Sequence, residues 1–407
     1  MTEVPAPITP YVHREATLDC GGRRLTFATS LGLFSSHRVD VGSHLLLRTL
    51  EPLLEAREGL RLLDVGGGYG TLGVALATLP AVASAHLVDR DALALDFARA
   101  NAHRNGVEAR TTFGASLGLD GVPEAARYDL VVANVPGKAG DAVIASMLLD
   151  MLGVLDAGGL AAVVVIEPIR DLVAATLARP DVEVTLRRDT ADYSVFHYRS
   201  ADASTPRAVE GFASGLYDAG TLTFDDAGGE SVTIDTVRGL PGYDRLDHTD
   251  LALMRRLPRV RAGTRVAISG AGQGVVAASV LRAQRDAHFL LVDRDLLALH
   301  ATRRALLALG GDEERIETRH LGACDAASLH DAVADLVVAT LHEDAGAAAV
   351  EAEYAALLGA LAPGGRAVIA GGSTAITRLL ARPLPASMTA SRTRHRGTSI
   401  LEVTRAA

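Results

Sequence analysis

The chain of 407 residues is, in outline, written twice. Arg61-Leu62-Leu63-Asp64-Val65-Gly66-Gly67-Gly68-Tyr69-Gly70 aligns with Arg265-Val266-Ala267-Ile268-Ser269-Gly270-Ala271-Gly272-Gln273-Gly274 at an offset of 204. Leu87-Val88-Asp89-Arg90-Asp91 meets Leu291-Val292-Asp293-Arg294-Asp295 at that same offset. Asp129 to Ala133 meets Asp335 to Ala339 and Gly158-Gly159 meets Gly364-Gly365, both at 206, while Gly32 to Asp40 meets Gly239 to Asp247 at 207. Matches that keep their order while the offset drifts by a few residues mark a duplicated domain with small loop insertions. The short polar stretch Ser200-Ala201-Asp202-Ala203-Ser204-Thr205-Pro206 reads as the joint, so the expected domains are 1–200 and 207–407.

Within the first copy, apolar strand runs alternate with helix-compatible stretches: Leu60 to Gly70, Thr71 to Leu79, Ala85 to Asp91, Ala92 to Asn105, a strand ending at Ala133, Asp141 to Leu155, and Leu160 to Ile166. Strands alternating with helices form parallel βαβ units, and continuous apolar strands belong to a sheet covered on both faces. The fold class is therefore α/β, two tandem doubly wound Rossmann-like domains. Each copy ends on a pair of strands, Val182 to Arg188 with Tyr193 to Tyr198, and Met388 to Arg394 with Ser399 to Val403.

Composition removes several functions. No apolar run approaches the roughly 18 residues of a membrane span, and the opening MTEVPAPITPYVHRE lacks the basic start and apolar block of a secretory signal, so a cytoplasmic protein without membrane contact is expected. Two cysteines, Cys20 and Cys324, make neither a disulfide framework nor a metal cluster. The net charge is −9 and both halves are acidic, which excludes a basic nucleic-acid module in bulk but not a local basic face. Lys138 is the only lysine against 39 arginines, a bias of coding rather than of function.

Gly66, Gly68 and Gly70 form G-x-G-x-G between a strand and a helix, where the absence of side chains lets a ligand approach backbone amides at a helix N-terminus. Asp89 closes the next strand, 19 residues beyond Gly70, where a carboxylate accepts hydrogen bonds from ribose hydroxyls. Asp64, on the preceding strand, adds a carboxylate able to face an ammonium group or water. Together they point to an adenosine-type ligand. The dinucleotide fingerprint spaces its glycines G-x-G-x-x-G, whereas Asp64 to Gly70 runs D-x-G-x-G-x-G.

That spacing resembles motif I of class I S-adenosylmethionine-dependent methyltransferases, and the paired terminal strands resemble the same fold. Upstream, Phe34-Ser35-Ser36-His37-Arg38-Val39-Asp40-Val41-Gly42-Ser43-His44-Leu45-Leu46-Leu47 resembles the F-S-x-x-x-x-D-x-G-S-x-L-L-L segment of the "small" methyltransferase domain of ribosomal RNA guanine-N2 methyltransferases, which are also tandem duplications. The resemblance covers nearly the whole chain. It implies S-adenosylmethionine as cofactor, with Asp64, Gly66, Gly68, Gly70, Asp89 and Asn134 around it and Ser116 near the adenine. Phe34 either packs in the core or walls a pocket. Asp40 either caps the helix starting near Val41 or, with Ser43, orients the methionine end of the cofactor or the substrate.

The family's exocyclic-amine enzymes carry N-P-P-F/Y after the fourth strand. An aryl amine is a poor nucleophile because its lone pair is delocalised into the ring; a side-chain oxygen and a backbone carbonyl that accept its two hydrogens free that pair to attack in line. Here the sequence is Asn134-Val135-Pro136-Gly137, which keeps both acceptors but not the aromatic ring. The resemblance thus implies catalysis at Asn134, Val135 and Pro136 on RNA guanine N2, while a small-molecule amine, hydroxyl or carboxylate acceptor also fits, as does a non-catalytic nucleoside- or RNA-binding scaffold. Lys138 is placed to steer an anionic substrate, and His37, His44 and Tyr69 are candidate proton acceptors or pocket walls.

In the second copy Asp64 is replaced by Ile268, Phe34 by Pro241 and Asn134-Val135-Pro136 by Thr340-Leu341-His342, while the glycines and Asp293 remain. Catalysis is therefore expected in the first copy, and a structural or docking role in the second. The ribosomal RNA enzymes place the degenerate copy first, so this chain reverses their order. His342-Glu343-Asp344 lacks metal-ligand spacing, and no metal site is expected.

Overall fold

The apolar runs of the first copy become strands of one seven-stranded sheet, seen in a computed structural model that describes residues 6–201, 209, 211–226, 228–259, 261–324, 329, 331–395 and 397–407. After an N-terminal hairpin, β1 (Arg14–Cys20) and β2 (Arg23–Thr29), the order is α1 (Val41–Leu54), β3 (Leu60–Val65), α2 (Thr71–Ala77), β4 (Val82–Asp89), α3 (Ala92–Arg104), β5 (Thr111–Ala115), β6 (Tyr128–Asn134), α4 (Asp141–Gly153), β7 (Leu155–Ile166), α5 (Arg170–Leu177), β8 (Val182–Asp189) and β9 (Tyr193–Ser200). The sheet runs β5-β4-β3-β6-β7-β9-β8. Its first five strands are parallel, and β9 inserts antiparallel between β7 and β8.

Leu62, Leu63, Val131, Val132, Val163 and Val164 are all buried although neighbours along a strand point to opposite faces. Helices thus cover both sides, which is why these strands read as unbroken apolar runs. One such layer packs Leu63, Val131 and Val163 against Ile144, Leu148 and Met151 of α4. Because β3, β4 and β6 are parallel, the residues that follow each of them emerge at one edge of the sheet, the edge where α/β folds bind ligands.

The hairpin β1–β2 was not among the strands expected from sequence. Its alternation brings Ala16, Leu18 and Cys20 inward around the turn Gly21-Gly22, which has positive φ at both residues. Two asparagines one helical turn apart, Asn101 on α3 and Asn105 at its C-cap, dock it. Asn101 Oδ1 accepts the Ala28 amide (2.7 Å) and its Nδ2 donates to the carbonyls of Ala28 (3.0 Å) and Tyr69 (2.8 Å). Asn105 treats Thr26 alike, accepting its amide (3.1 Å) and donating to its carbonyl (3.0 Å). Four helical residues rise about 6 Å and two strand residues about 6.8 Å, so the two amides match alternate backbone groups of the strand. Asn101→Ala strands buried partners at Ala28 and Tyr69 and is expected to lower the stability of the first unit by about 2–4 kcal/mol in scanning calorimetry; a change under about 0.5 kcal/mol would show that the docking contributes little.

The chain divides into two compact units, Met1–Tyr217 and Asp218–Ala407. The division lies beyond the 200–206 segment, of which residues 202–206 fall outside the described residues. Residues 211–217 belong to the first unit through the Phe212 amide, which donates to Asp120 Oδ2 at 2.9 Å, and through Val209 against its core. The second unit repeats the plan: β10 (Asp218–Asp225), β11 (Ser231–Val237), α6 (His248–Met254), β12 (Arg265–Ser269), α7 (Val275–Ala283), β13 (His288–Asp293), α8 (Leu296–Ala308), β14 (Ile316–His320), β15 (Ala334–Thr340), α9 (Ala347–Gly359), β16 (Leu361–Gly372), α10 (Ser373–Leu380), β17 (Met388–His395) and β18 (Thr398–Arg405). Its sheet order, β14-β13-β12-β15-β16-β18-β17, matches the first strand for strand. Among the described residues no helix is long and apolar enough to cross a membrane.

Candidate active site

The turn after β3 needs glycine: φ is +69° at Gly66, +56° at Gly68 and +93° at Gly70. A Cβ at Gly70 would stand 2.7 Å from Val74 Cγ2, whereas at Gly66 and Gly68 nothing lies within 4 Å, so the loop presents bare backbone to open space. The Gly66 and Gly67 amides donate to the Val88 carbonyl (2.9 and 3.0 Å) and the Gly68 amide to Asp89 Oδ2 (2.9 Å). Asp89 Oδ1 accepts the Asp91 amide at 2.9 Å, which fixes the carboxylate at the end of β4 with spare lone pairs on both oxygens. Burial raises its pKa to about 6.

Asp64 is almost wholly buried. Its Oδ2 accepts the Gly73 amide at 2.7 Å, and Oδ1 has no partner. Burial raises its pKa to about 7 against that hydrogen bond, with Asp89 adding a further push. An unpartnered buried carboxylate oxygen is expensive, and a cationic ligand group satisfies it.

Asn134 closes β6 at the same edge. Its Nδ2 donates to Asp40 Oδ2 (2.9 Å) and Ser43 Oγ (3.1 Å), which uses both amide hydrogens and leaves Oδ1 as the acceptor offered to a ligand. Asp40 caps α1 through the Ser43 amide (3.1 Å) and accepts the Tyr193 hydroxyl on Oδ1 (3.0 Å). The Val135 amide donates to Val164 O (3.0 Å) and the Pro136 carbonyl closes a turn with the Ala139 amide (3.1 Å). A Cβ at Gly137 would meet Ile166 Cδ1 at 2.5 Å, so this loop is packed around glycine where the family pattern has a ring. Lys138 is exposed.

Phe34 is 71% exposed, so it does not pack in the core. Its neighbour Ser35 has φ +58°, and the Ser35 carbonyl lies 3.5 Å from the Tyr69 hydroxyl, which tethers the Phe34 segment to the glycine loop. Asp40 caps the helix and also accepts the Asn134 amide, which joins the start of α1 to the end of β6. Ser116 follows β5 as expected, but its hydroxyl is buried, donating to Gly118 O (2.8 Å) and accepting the Gly121 amide (2.8 Å). That side chain shapes its own loop, with its one hydroxyl hydrogen spent on Gly118. Tyr69 is buried, its ring edge-on to Phe27. His37 is exposed, its Nδ1 2.9 Å from Ser36 Oγ, and His44 is half-buried on α1. Tyr193 and Asn101 escaped the sequence reading, because the register of β9 on β7 and the docking of β2 on α3 carry no local signature.

In the second unit Gly270, Gly272 and Gly274 keep positive φ, and Asp293 accepts the Ala271 (2.8 Å) and Asp295 (2.9 Å) amides. At the position of Pro136 stands His342, whose Nδ1 lies 2.8 Å from Glu353 Oε1 and whose amide donates to Glu353 Oε2 (3.0 Å). Glu353, from α9, is buried and also faces Ser269 Oγ at 3.4 Å. Burial opposes the imidazolium, yet the charge of Glu353, its hydrogen bond and the charge of Asp293 outweigh it and lift the pKa to about 9. The counter-ion of His342 is Glu353, and the acid equivalent to Asp89 adds a weaker electrostatic pull.

A sheet of this order with its antiparallel insertion, a positive-φ glycine loop, an acid at the end of β4 and an asparagine at the end of β6 define a class I S-adenosylmethionine-dependent methyltransferase fold. The chain belongs to the methyltransferase small domain family, whose model, "Methyltransferase small domain", matches residues 24–196 and 231–353. It is 32% identical over 120 residues to the uncharacterized protein YbxB of Bacillus subtilis (strain 168), an alignment spanning 29% of this chain and 57% of that one. It is 38% identical over 112 residues to ribosomal RNA small subunit methyltransferase C of Citrobacter koseri, spanning 28% of this chain and 30% of the relative. Among solved structures, a Thermus thermophilus 16S rRNA N2 methyltransferase in complex with AdoMet and guanosine superposes with a TM-score of 0.64 at 19% identity, over 98% of this chain and 100% of that one, which shows a shared two-domain fold.

Proposed function

We propose that the first unit transfers a methyl group from S-adenosylmethionine to an exocyclic amine, guanine N2 in RNA, and that the second unit, from Asp218 on, is a degenerate copy with a structural or docking role. The observation that carries this is Asn134, whose amide is held with its oxygen outward. The residues fit the cofactor: the open backbone at Gly66 and Gly68 and the spare lone pairs of Asp89 suit an adenosine ribose, and the unpartnered Asp64 Oδ1 suits an α-ammonium group. Bound there, S-adenosylmethionine supplies an electrophilic methyl on a sulfonium. Asn134 Oδ1 and the Val135 carbonyl accept the two amine hydrogens and turn the lone pair toward the methyl; Phe34 offers a face for a flat base, and Lys138 an attraction for phosphate. The names of the relatives support RNA as acceptor. Incubation with labelled S-adenosylmethionine and fractionated cell extract is expected to label RNA, with binding that weakens steeply as salt rises.

A second reading, methylation of a small metabolite, is favoured by Gly137 in place of a ring and by the acidic net charge. It predicts label in the metabolite fraction and no RNA affinity at any salt.

The raised pKa values of Asp64 (about 7) and Asp89 (about 6) give a pH dependence. Both carboxyls hold their protons more tightly folded than unfolded, so their contribution to stability is greatest below about pH 4 and declines as pH rises toward 7. A cationic ligand prefers the ionised form. S-adenosylmethionine affinity is therefore expected to rise several-fold between pH 5.5 and 7.5 in calorimetry, and a flat profile would remove Asp64 from cofactor binding.

A further inference from the structure

We infer that Tyr193 and Asp40 form a positioning pair that locks the Asn134 amide in the orientation the acceptor needs, an inference that rests on Asn134 binding the acceptor amine. The Asn134 amide has two orientations related by a half turn, and only one points Oδ1 outward. Asp40 decides between them: with Nδ2 inward the carboxylate receives a hydrogen bond at 2.9 Å, while the rotated amide would set Oδ1 against a carboxylate oxygen. Asp40 is in turn fixed from two sides, by the Ser43 amide on Oδ2 and by the Tyr193 hydroxyl on Oδ1 at 3.0 Å. Tyr193 is itself placed by the sheet, paired with Ile166 across β7 and β9, and its ring packs so close to Gly42 that a Cβ there would lie 2.8 Å from the ring. Three separated segments thus converge on one amide.

The second unit is an internal control. It keeps the aspartate, Asp247, which caps α6 through the Thr249 amide at 2.7 Å. It changes everything else: Ser43 corresponds to Asp250, Asn134 to Thr340, and Tyr193, by its pairing opposite Gly372, to Thr398. Capping alone needs the aspartate and survives; the tyrosine and serine disappear together with the asparagine they serve.

The test is a double-mutant cycle on the full chain, with single-turnover methyl transfer to cellular RNA and S-adenosylmethionine affinity as readouts. Tyr193→Phe keeps the ring packing and is expected to slow transfer roughly tenfold with cofactor affinity within twofold of wild type. In the Asn134→Ala background Tyr193→Phe is expected to have no further effect on the residual rate. Ser43→Ala, which removes the other Asn134 contact on an unrelated element, is expected to show the same non-additivity. An equal fold-loss from Tyr193→Phe in both backgrounds, or a wild-type rate for Tyr193→Phe, overturns the lock. A wild-type rate for Asn134→Ala overturns the acceptor assignment and the lock with it, whereas a slow Asn134→Ala beside a wild-type Tyr193→Phe overturns the lock alone.

Discussion

Asn134→Ala is expected to lower methyl transfer by on the order of 10²–10³-fold while S-adenosylmethionine still binds within about threefold of wild type. The removed oxygen contacts only the acceptor in the proposed arrangement, so its loss is felt as the amine becomes a nucleophile and not when the cofactor settles. The vacated space leaves Asp40 bonded to Tyr193 and to the cap of α1, which keeps the fold intact. A variant that loses cofactor affinity in proportion to its rate would place Asn134 on the cofactor instead.

Asp89→Ala is expected to weaken S-adenosylmethionine binding at least 100-fold, about 2.7 kcal/mol, and the wild-type chain to bind one equivalent. Asp89 orders the loop through the Gly68 amide and in the proposed site accepts the ribose hydroxyls, so two functions go at once. Asp293, its counterpart, faces the His342 cation held by Glu353, and the second glycine loop has Ile268 where Asp64 would answer an ammonium group. Asp293→Ala is therefore expected to leave both affinity and stoichiometry unchanged in titration calorimetry. Two equivalents, or loss of binding in Asp293→Ala, would assign cofactor binding to the second unit.

Much of this was legible in the chain because it is local or periodic. The duplication, the strand runs from Leu60 to Tyr198 and the glycine loop with its acid depend on spacing alone, Asn134 at a strand end stands out by resemblance to a family segment, and the sheet then carries loop, acid and asparagine to one edge. The hairpin at 14–29 carries a local signal as well, alternation around Gly21-Gly22. Tyr193 and Glu353 had none, since their roles depend on which distant segment they face. Ser116 shows the converse: its position after β5 follows from the strand pattern, but the inward turn of its hydroxyl is set by Gly118 and Gly121.

The central claim is that the Asn134 loop of the first unit presents an exocyclic amine for methylation. Mass spectrometry of nucleosides from RNA incubated with S-adenosylmethionine and the full chain tests it most directly. N2-methylguanosine made by the wild type and lost in Asn134→Ala is the predicted result; a methyl group on a ribose oxygen or a ring atom, formed equally by both proteins, would contradict it.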